Sequence, residues 1–126
     1  MGIRLLKIAA VYLVVGTTMG LAMGITQSFT LHPVHAHINL LGWASLALAG
    51  VVYHLYPAAG ATRLARFHFW MHNAGLPVFM LGLGLVLSGR EWALPITVVG
   101  AVTVLLGLVL FAANVLVNIK SPAVAA

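Results

Sequence analysis

Two histidines separated by one residue are the side chains of this chain best suited to chemistry. His35 and His37 stand at the start of an apolar run, from Val34 to Tyr56, that is long enough to cross a bilayer. An imidazole is costly inside lipid, and it is a common ligand of iron and copper. On a helix, residues two apart point roughly 200° from each other, so the pair predicts two sites on opposite flanks of one helix.

The composition of the chain indicates an integral membrane protein. Of its 126 residues, 63% are hydrophobic and 6% are charged, which is more apolar surface than one soluble core of this size buries. The net charge of +5 comes from scattered basic residues that form no stripe, so we exclude nucleic acid as a partner. The absence of cysteine excludes structural disulfides, thiolate zinc sites, iron–sulfur clusters with their usual ligands, and haem attached through CxxCH.

Four apolar segments of spanning length predict an all-α membrane protein, a four-transmembrane-helix bundle forming a single domain over residues 1–126. The segments cover about residues 5–26, 34–56, 67–88 and 93–117. If they alternate in direction, Arg90 lies on one side and the other basic residues share the opposite side: Arg4, Lys7, Arg63, Arg66 and Lys120. The positive-inside rule then predicts an inner-membrane protein with both termini in the cytoplasm. A signal peptide is disfavoured, because the first segment is too long and no A-x-A-like site follows it.

Small and amide side chains inside the segments predict contacts between helices. Glycines recur every fourth residue on the first segment, at Gly16, Gly20 and Gly24. This spacing favours close packing of a neighbouring helix, with a cleft for a flat ligand or an oligomer interface as alternatives. Three amides are expected to form hydrogen bonds between helices: Asn73, Asn114 and Asn118.

The remaining histidines are weaker candidates for metal ligands. His32 precedes a proline and is predicted to lie at the membrane interface, with a ligand role as the alternative. His68 and His72 are one turn apart, a spacing at which two imidazoles can share a metal. Because His68 follows closely on Arg66, we expect a partly wet aromatic belt there and favour a structural or interfacial role. His54 is interpreted in the same way.

Three stretches that together cover about half of the chain resemble one known family. They are His35-Ala-His37-Ile-Asn-Leu, then Gly50-Val-Val-Tyr-His54-Leu-Tyr-Pro57, then Arg66-Phe-His68-Phe-Trp70 and on to Gly82. They resemble the tenth and eleventh helices of subunit I of the haem–copper oxidases, where H-x-H opens one helix and a Tyr/Val-His-aromatic-aromatic-Pro string closes it. Asn39-Leu40 is also similar to the start of the second helix in nitric oxide reductases.

The resemblance implies that this chain corresponds to one four-helix arc of that subunit. His35 then matches the axial ligand of the high-spin haem, and His37 matches a ligand of the low-spin haem on the opposite flank. Three copies would rebuild the ring of twelve helices, so the resemblance implies a homotrimer in which His37 of one protomer and His35 of the next hold a noncovalent b-type haem. Arg90, in the neighbouring outer loop, is a candidate partner for a haem propionate, with a plain interfacial anchor as the favoured alternative.

The function expected from these residues is that of a haem-binding membrane cytochrome that transfers electrons near the outer face. Its partner would be a quinol, a soluble cytochrome or a small gas. Copper is not supported, because nothing matches the copper histidines of the family, and proton pumping is not expected because the only acid is Glu91. The alternatives are a minimal oligomeric oxidoreductase that binds or reduces O2 or NO, a non-enzymatic sensor or assembly factor, and a metal transporter. The transporter alternative is weakened because this chain has no carboxylate within its apolar segments to balance the charge of a divalent ion.

Overall fold

The computed structural model describes residues 1–120, and over that range it consists of helices without a β-strand. The four long helices are α1 (Gly2–Thr26), α2 (His32–Leu55), α3 (Arg63–Leu87) and α4 (Leu94–Asn118). Each of them is long and apolar enough to cross a membrane, so the four predicted helices of spanning length are present. The C-terminal end of the chain, residues 121–126, lies outside the described residues.

Three of the four helices, α1, α2 and α3, begin earlier than the hydropathy pattern predicts. The α3 helix starts at Arg63 instead of residue 67, because the Thr62 hydroxyl caps it by accepting a hydrogen bond of 3.1 Å from the Ala65 amide. The α2 helix starts at His32, with Pro33 in the first turn, where a missing N–H costs no intrahelical bond. Both differences place histidines deeper in a helix than we expect from the sequence.

Glycines bring α1 and α2 together as an antiparallel hairpin. A Cβ added at Gly16 would lie 2.6 Å from the Asn39 side-chain nitrogen, and one added at Gly20 would lie 2.8 Å from His35 Cε1. Packing against a neighbouring helix is therefore confirmed for these two glycines. A Cβ at Gly24 would meet nothing within 4 Å, so this third glycine lies beyond the packed region.

A second antiparallel hairpin is formed by α3 and α4. A Cβ added at Gly82 would lie 2.6 Å from the Thr97 amide nitrogen, and one at Gly100 would collide with the main chain of Phe79. The absence of side chains at these positions lets the two backbones touch, as in other tightly packed transmembrane pairs.

The middle of α2 is not a regular α-helix. Residues Ile38–Ser45 form a π-helical segment, which begins directly after His37. The Ser45 hydroxyl donates a hydrogen bond of 2.8 Å to the Leu40 carbonyl, five residues earlier. Since π-helical turns are rare and concentrate at functional sites, this segment is an unusual feature of the fold that the sequence pattern does not reveal.

The charges are divided between the two ends of the bundle. The starts of α1 and α3 and the end of α4 share one end, which therefore carries five exposed basic residues: Arg4, Lys7, Arg63, Arg66 and Lys120. The opposite end carries Arg90 and Glu91. Between these ends the outward surfaces are apolar, as at Leu116, which is 82% exposed.

Replacement of Gly82 by alanine should destabilise the bundle by about 1–3 kcal/mol, because the new methyl group overlaps the Thr97 backbone and must push two helices apart. Unfolding in mixed micelles, followed by circular dichroism, measures the effect. Gly24→Ala is the matched control and should not lower the stability; it should raise it by up to about 1 kcal/mol, because nothing opposes its methyl group and alanine favours a helix. Equal stabilities for the two variants would contradict the role assigned to Gly82.

Candidate functional site

His35 is half-buried between α2 and α1. Its Nδ1 lies 2.9 Å from the Gly16 carbonyl oxygen, and its ring lies over Gly20. A carbonyl oxygen only accepts, so Nδ1 must carry the proton and the lone pair must be on Nε2. The Asn39 Nδ2 lies 3.4 Å from this Nδ1 and donates a shorter hydrogen bond, of 2.9 Å, to the His35 main-chain oxygen.

His37 is half-buried on the other side of α2, where α3 passes. Its ring makes an edge contact with Phe79 on α3, with the ring centroids 5.1 Å apart. Its Nδ1 lies 2.7 Å from the Pro33 carbonyl oxygen of its own helix, so this imidazole also carries its proton on Nδ1. The two imidazoles thus leave α2 towards different neighbours, as the two-residue spacing predicts.

The hydrogen bonds of His35 and His37 fit the requirements of a metal ligand. A metal-binding imidazole usually donates its second N–H to a carbonyl or carboxylate, which fixes the tautomer and the ring orientation. Here each Nδ1–H is directed at a main-chain carbonyl, and each Nε2 keeps its lone pair for a ligand. The assignment of both residues as haem ligands remains a prediction.

The secondary candidates lie apart from one another. His32 is exposed on the first turn of α2, with its ring centroid 6.4 Å from that of His35. His54 is exposed near the opposite end of the same helix. Arg90 is exposed in the loop between α3 and α4, where its amide donates to the Leu85 carbonyl at 3.0 Å. Of these three, His32 is the one that lies beside a primary candidate.

The expectation of a partly wet environment around His68 is wrong. His68 and His72 are both fully buried, because α3 begins at Arg63 and carries them into the interior. The His72 Nε2 donates to the Leu41 carbonyl at 3.0 Å, and the His68 Nδ1 lies 3.2 Å from the Tyr53 hydroxyl. These two histidines are the most deeply buried titratable side chains of α3.

The hydrogen bonds around Asn114 connect the two hairpins. Its Nδ2 donates to the Ala59 carbonyl at 3.0 Å and to the Tyr53 hydroxyl at 3.3 Å, and its Oδ1 accepts from Thr62 at 3.0 Å. The prediction of hydrogen bonds between helices is therefore confirmed for Asn114. It is wrong for the other two amides: Asn73 bonds to Phe69 and Asn118 to Asn114, each within its own helix.

An open apolar groove separates the hairpins at the end where α2 begins. It has a volume of about 300 Å³ and lies between the first turn of α2 and the last turns of α3. Its lining is apolar apart from one hydroxyl, and it consists of Leu31, Val34, Met80, Leu81, Gly84, Leu85 and Ser88. The hydrogen bonds of Asn114 lie at the other end of the bundle, so the hairpins are joined more firmly there.

Among residues 1–120, no three His, Asp or Glu side chains are grouped closely enough to hold a bare metal ion. A haem needs only one or two protein ligands, so this finding does not conflict with the predicted pair.

Comparison with protein-family models, with curated proteins and with solved structures finds no match to this chain. The assignment of function therefore depends on the geometry of the histidines and on the motif resemblance.

Replacement of Asn114 by leucine should destabilise the protein by about 1–3 kcal/mol, because the buried Ala59 carbonyl and Tyr53 hydroxyl lose a donor. Unfolding in mixed micelles measures the change. Asn118→Leu is the control, since Asn118 is exposed and makes one bond within its own helix. A loss of stability in the control as large as that in Asn114→Leu would contradict the role of the buried amide.

Proposed function

We propose that this chain is a haem-binding membrane cytochrome related to subunit I of the haem–copper oxidases. The observation that carries the proposal is the pair of imidazoles on opposite flanks of α2, each with Nδ1 bonded to a main-chain carbonyl and Nε2 available to iron. The motif resemblance adds support, because H-x-H opens a haem-binding helix in that family.

In this proposal His35 and His37 bind noncovalent b-type haem iron, and the bound haem supplies a reversible one-electron couple. The hydrogen bonds from Nδ1 to Gly16 and Pro33 orient the two rings and fix the nitrogen that binds. Arg90 lies at the same end of the bundle and is the proposed partner of a haem propionate. The side chains around a bound haem would influence its redox potential.

The proposed haem is shared between protomers. The His35 side chain contacts α1, whereas the His37 side chain contacts α3. The two Nε2 lone pairs of one chain therefore lie on different sides of α2. A head-to-tail contact that closes into a ring brings one flank of each protomer against the opposite flank of the next. We favour a trimer, because three four-helix arcs would complete the twelve-helix ring of the family.

The proposed partner is a quinol, a soluble cytochrome or a small gas that reaches the histidine end of the bundle. Two histidine ligands leave no open position on the iron and favour electron transfer. A single histidine ligand would leave a position for O2 or NO. The number of ligands therefore separates the cytochrome from the gas-binding alternative.

We propose that the protein lies in the inner membrane and that its N-terminus and the basic end of the bundle face the cytoplasm. Support comes from the five exposed basic residues that share this end with the start of α1. The histidine pair then lies near the outer face, where the redox partner is expected.

The purified wild-type protein should show the absorption spectrum of a low-spin, six-coordinate haem that does not change with carbon monoxide. His37→Ala and His35→Ala should each either lose haem or acquire a spectrum that shifts with carbon monoxide, because one axial position becomes open. Absorption spectra of the oxidised, the reduced and the carbon monoxide-treated protein measure this, together with the ratio of haem to protein.

His54→Ala is the control for these variants and should keep the wild-type haem content, because His54 is exposed at the opposite end of α2. A colourless protein from cells supplied with iron and haem would contradict the proposal, as would an unchanged spectrum in both His35→Ala and His37→Ala. A monomer with a full complement of haem would contradict the shared site.

The topology can be measured with single cysteines, because the natural chain contains none. An impermeant maleimide should label Ser28→Cys, between α1 and α2, in intact spheroplasts. Ala61→Cys, between α2 and α3, should be labelled only after the membrane is opened. Both positions are exposed, so the reverse pattern would place the basic end outside.

A further inference from the structure

Four exposed side chains form one stripe on the outward surface of α3, at the basic end of the bundle. On a helix of 3.6 residues per turn, positions 63, 66, 67 and 70 fall within about 100° of one another. The stripe consists of two cations followed by two aromatic rings: Arg63, Arg66, Phe67 and Trp70. Phe67 is 60% exposed and Trp70 is 65% exposed, so both rings face the surroundings of the bundle and not its core.

The two arginines of this stripe have no acidic side chain beside them. The only acid of the chain is Glu91, which lies at the opposite end of the bundle. Helical side chains lean towards the N-terminus of their helix, and α3 begins at the basic end, so we expect Arg63 and Arg66 to extend towards the membrane surface. Two guanidinium groups at that level are complementary to a phosphate, which accepts paired hydrogen bonds from them.

The aromatic half of the stripe lies one turn deeper than the arginines. A rise of 1.5 Å per residue places Trp70 about 6 Å below Arg66 along the helix. The Trp70 ring makes an edge contact with Phe69, at a centroid distance of 5.5 Å. An indole combines an apolar ring with one N–H donor, so it suits the depth at which a lipid changes from polar to apolar. The next exposed position of the stripe is Ala74, whose small side chain leaves room for an acyl chain.

A second pair of cations at the same end of the bundle lacks the aromatic half. Arg4 and Lys7 are exposed, they have the same three-residue spacing, and α1 begins at the same end as α3. One turn further along α1 the corresponding side chains are the aliphatic Ile8 and Val11. The two pairs therefore match in charge and direction and differ in the rings below them.

We propose that the stripe on α3 binds one anionic phospholipid. Arg63 and Arg66 bind its phosphate, while Phe67 and Trp70 pack against the ester region and the upper part of an acyl chain. The occupant is a phospholipid and not a free phosphate, because the rings and Ala74 continue the site into the apolar layer. The site lies at the opposite end of the bundle from the histidine pair and does not rest on the proposed function.

Quenching of Trp70 fluorescence by brominated lipids tests this site in reconstituted vesicles. The protein carries Trp43→Phe and Trp92→Phe, which leaves Trp70 as its one indole. Vesicles contain phosphatidylcholine and phosphatidylglycerol, with one or the other brominated, and each intensity is divided by that in unbrominated vesicles. The two quenching curves give the relative affinity of the anionic lipid at Trp70. We expect a preference of about fivefold or more for phosphatidylglycerol, the order that one or two arginines contribute near anionic lipid.

Arg63→Gln combined with Arg66→Gln should bring this preference close to one, because glutamine stays polar but removes both charges. Arg4→Gln combined with Lys7→Gln is the matched control and should keep most of the preference, since it removes the same charge from the same end of the bundle. If the double variant of α3 does not fold, Arg66→Gln alone should lower the preference by about twofold or more. No change in that variant would overturn the proposal.

Equal quenching by the two lipids in the protein with the natural stripe would also overturn the proposal. Equal losses in the two double variants would do so as well, because they would indicate a general attraction of the basic end. Absence of quenching by both lipids would show that a second protomer or another protein covers Trp70, which contradicts a lipid site. A protein that binds this lipid but no haem would count only against the proposed function.

Discussion

The hydrogen bonds that Asn114 and His72 make across the two hairpins are the constraint on which the arrangement of the bundle depends. In a membrane, an apolar helix face has no strong preference for another helix over lipid chains, because both are equally apolar. A buried amide or imidazole does prefer the other helix, since it has no hydrogen-bond partner in the hydrocarbon. Asn114 ties α4 to the segment after α2, and His72 ties α3 to the middle of α2. Together they set the register in which the glycine-packed hairpins meet.

Several features of this arrangement follow from the sequence because their causes are local. Length and hydropathy predict the four helices, and the spacing of Gly16 and Gly20 predicts a close helix contact. The divergence of His35 and His37 follows from helix geometry alone. Local rules also explain the early start of α3, because Thr62 is a good N-cap and the cap overrides the charge of Arg63.

The environment of His68 could not be predicted from local rules. In the sequence it stands near Arg66 and resembles an interfacial residue, yet its neighbours Tyr53 and Phe111 come from distant parts of the chain. The π-helical segment has no signal in composition or periodicity, and the side chain that bonds to its Leu41 carbonyl is 31 residues away in the chain. What the sequence pattern lacks in both cases is the partner, which only tertiary packing supplies.

The hairpin organisation has a consequence for how the bundle comes together. Within each hairpin the contacts join neighbouring helices through glycines, so the backbones of each pair touch directly. Tyr53 and Asn114 belong to different pairs, and they reach each other only when the second pair docks on the first. In a separate hairpin these polar groups would lack the hydrogen-bond partners that they have in the bundle. Contact between the two hairpins therefore gives these polar groups their partners, and the same contact brings His72 of α3 to the π-helical segment of α2.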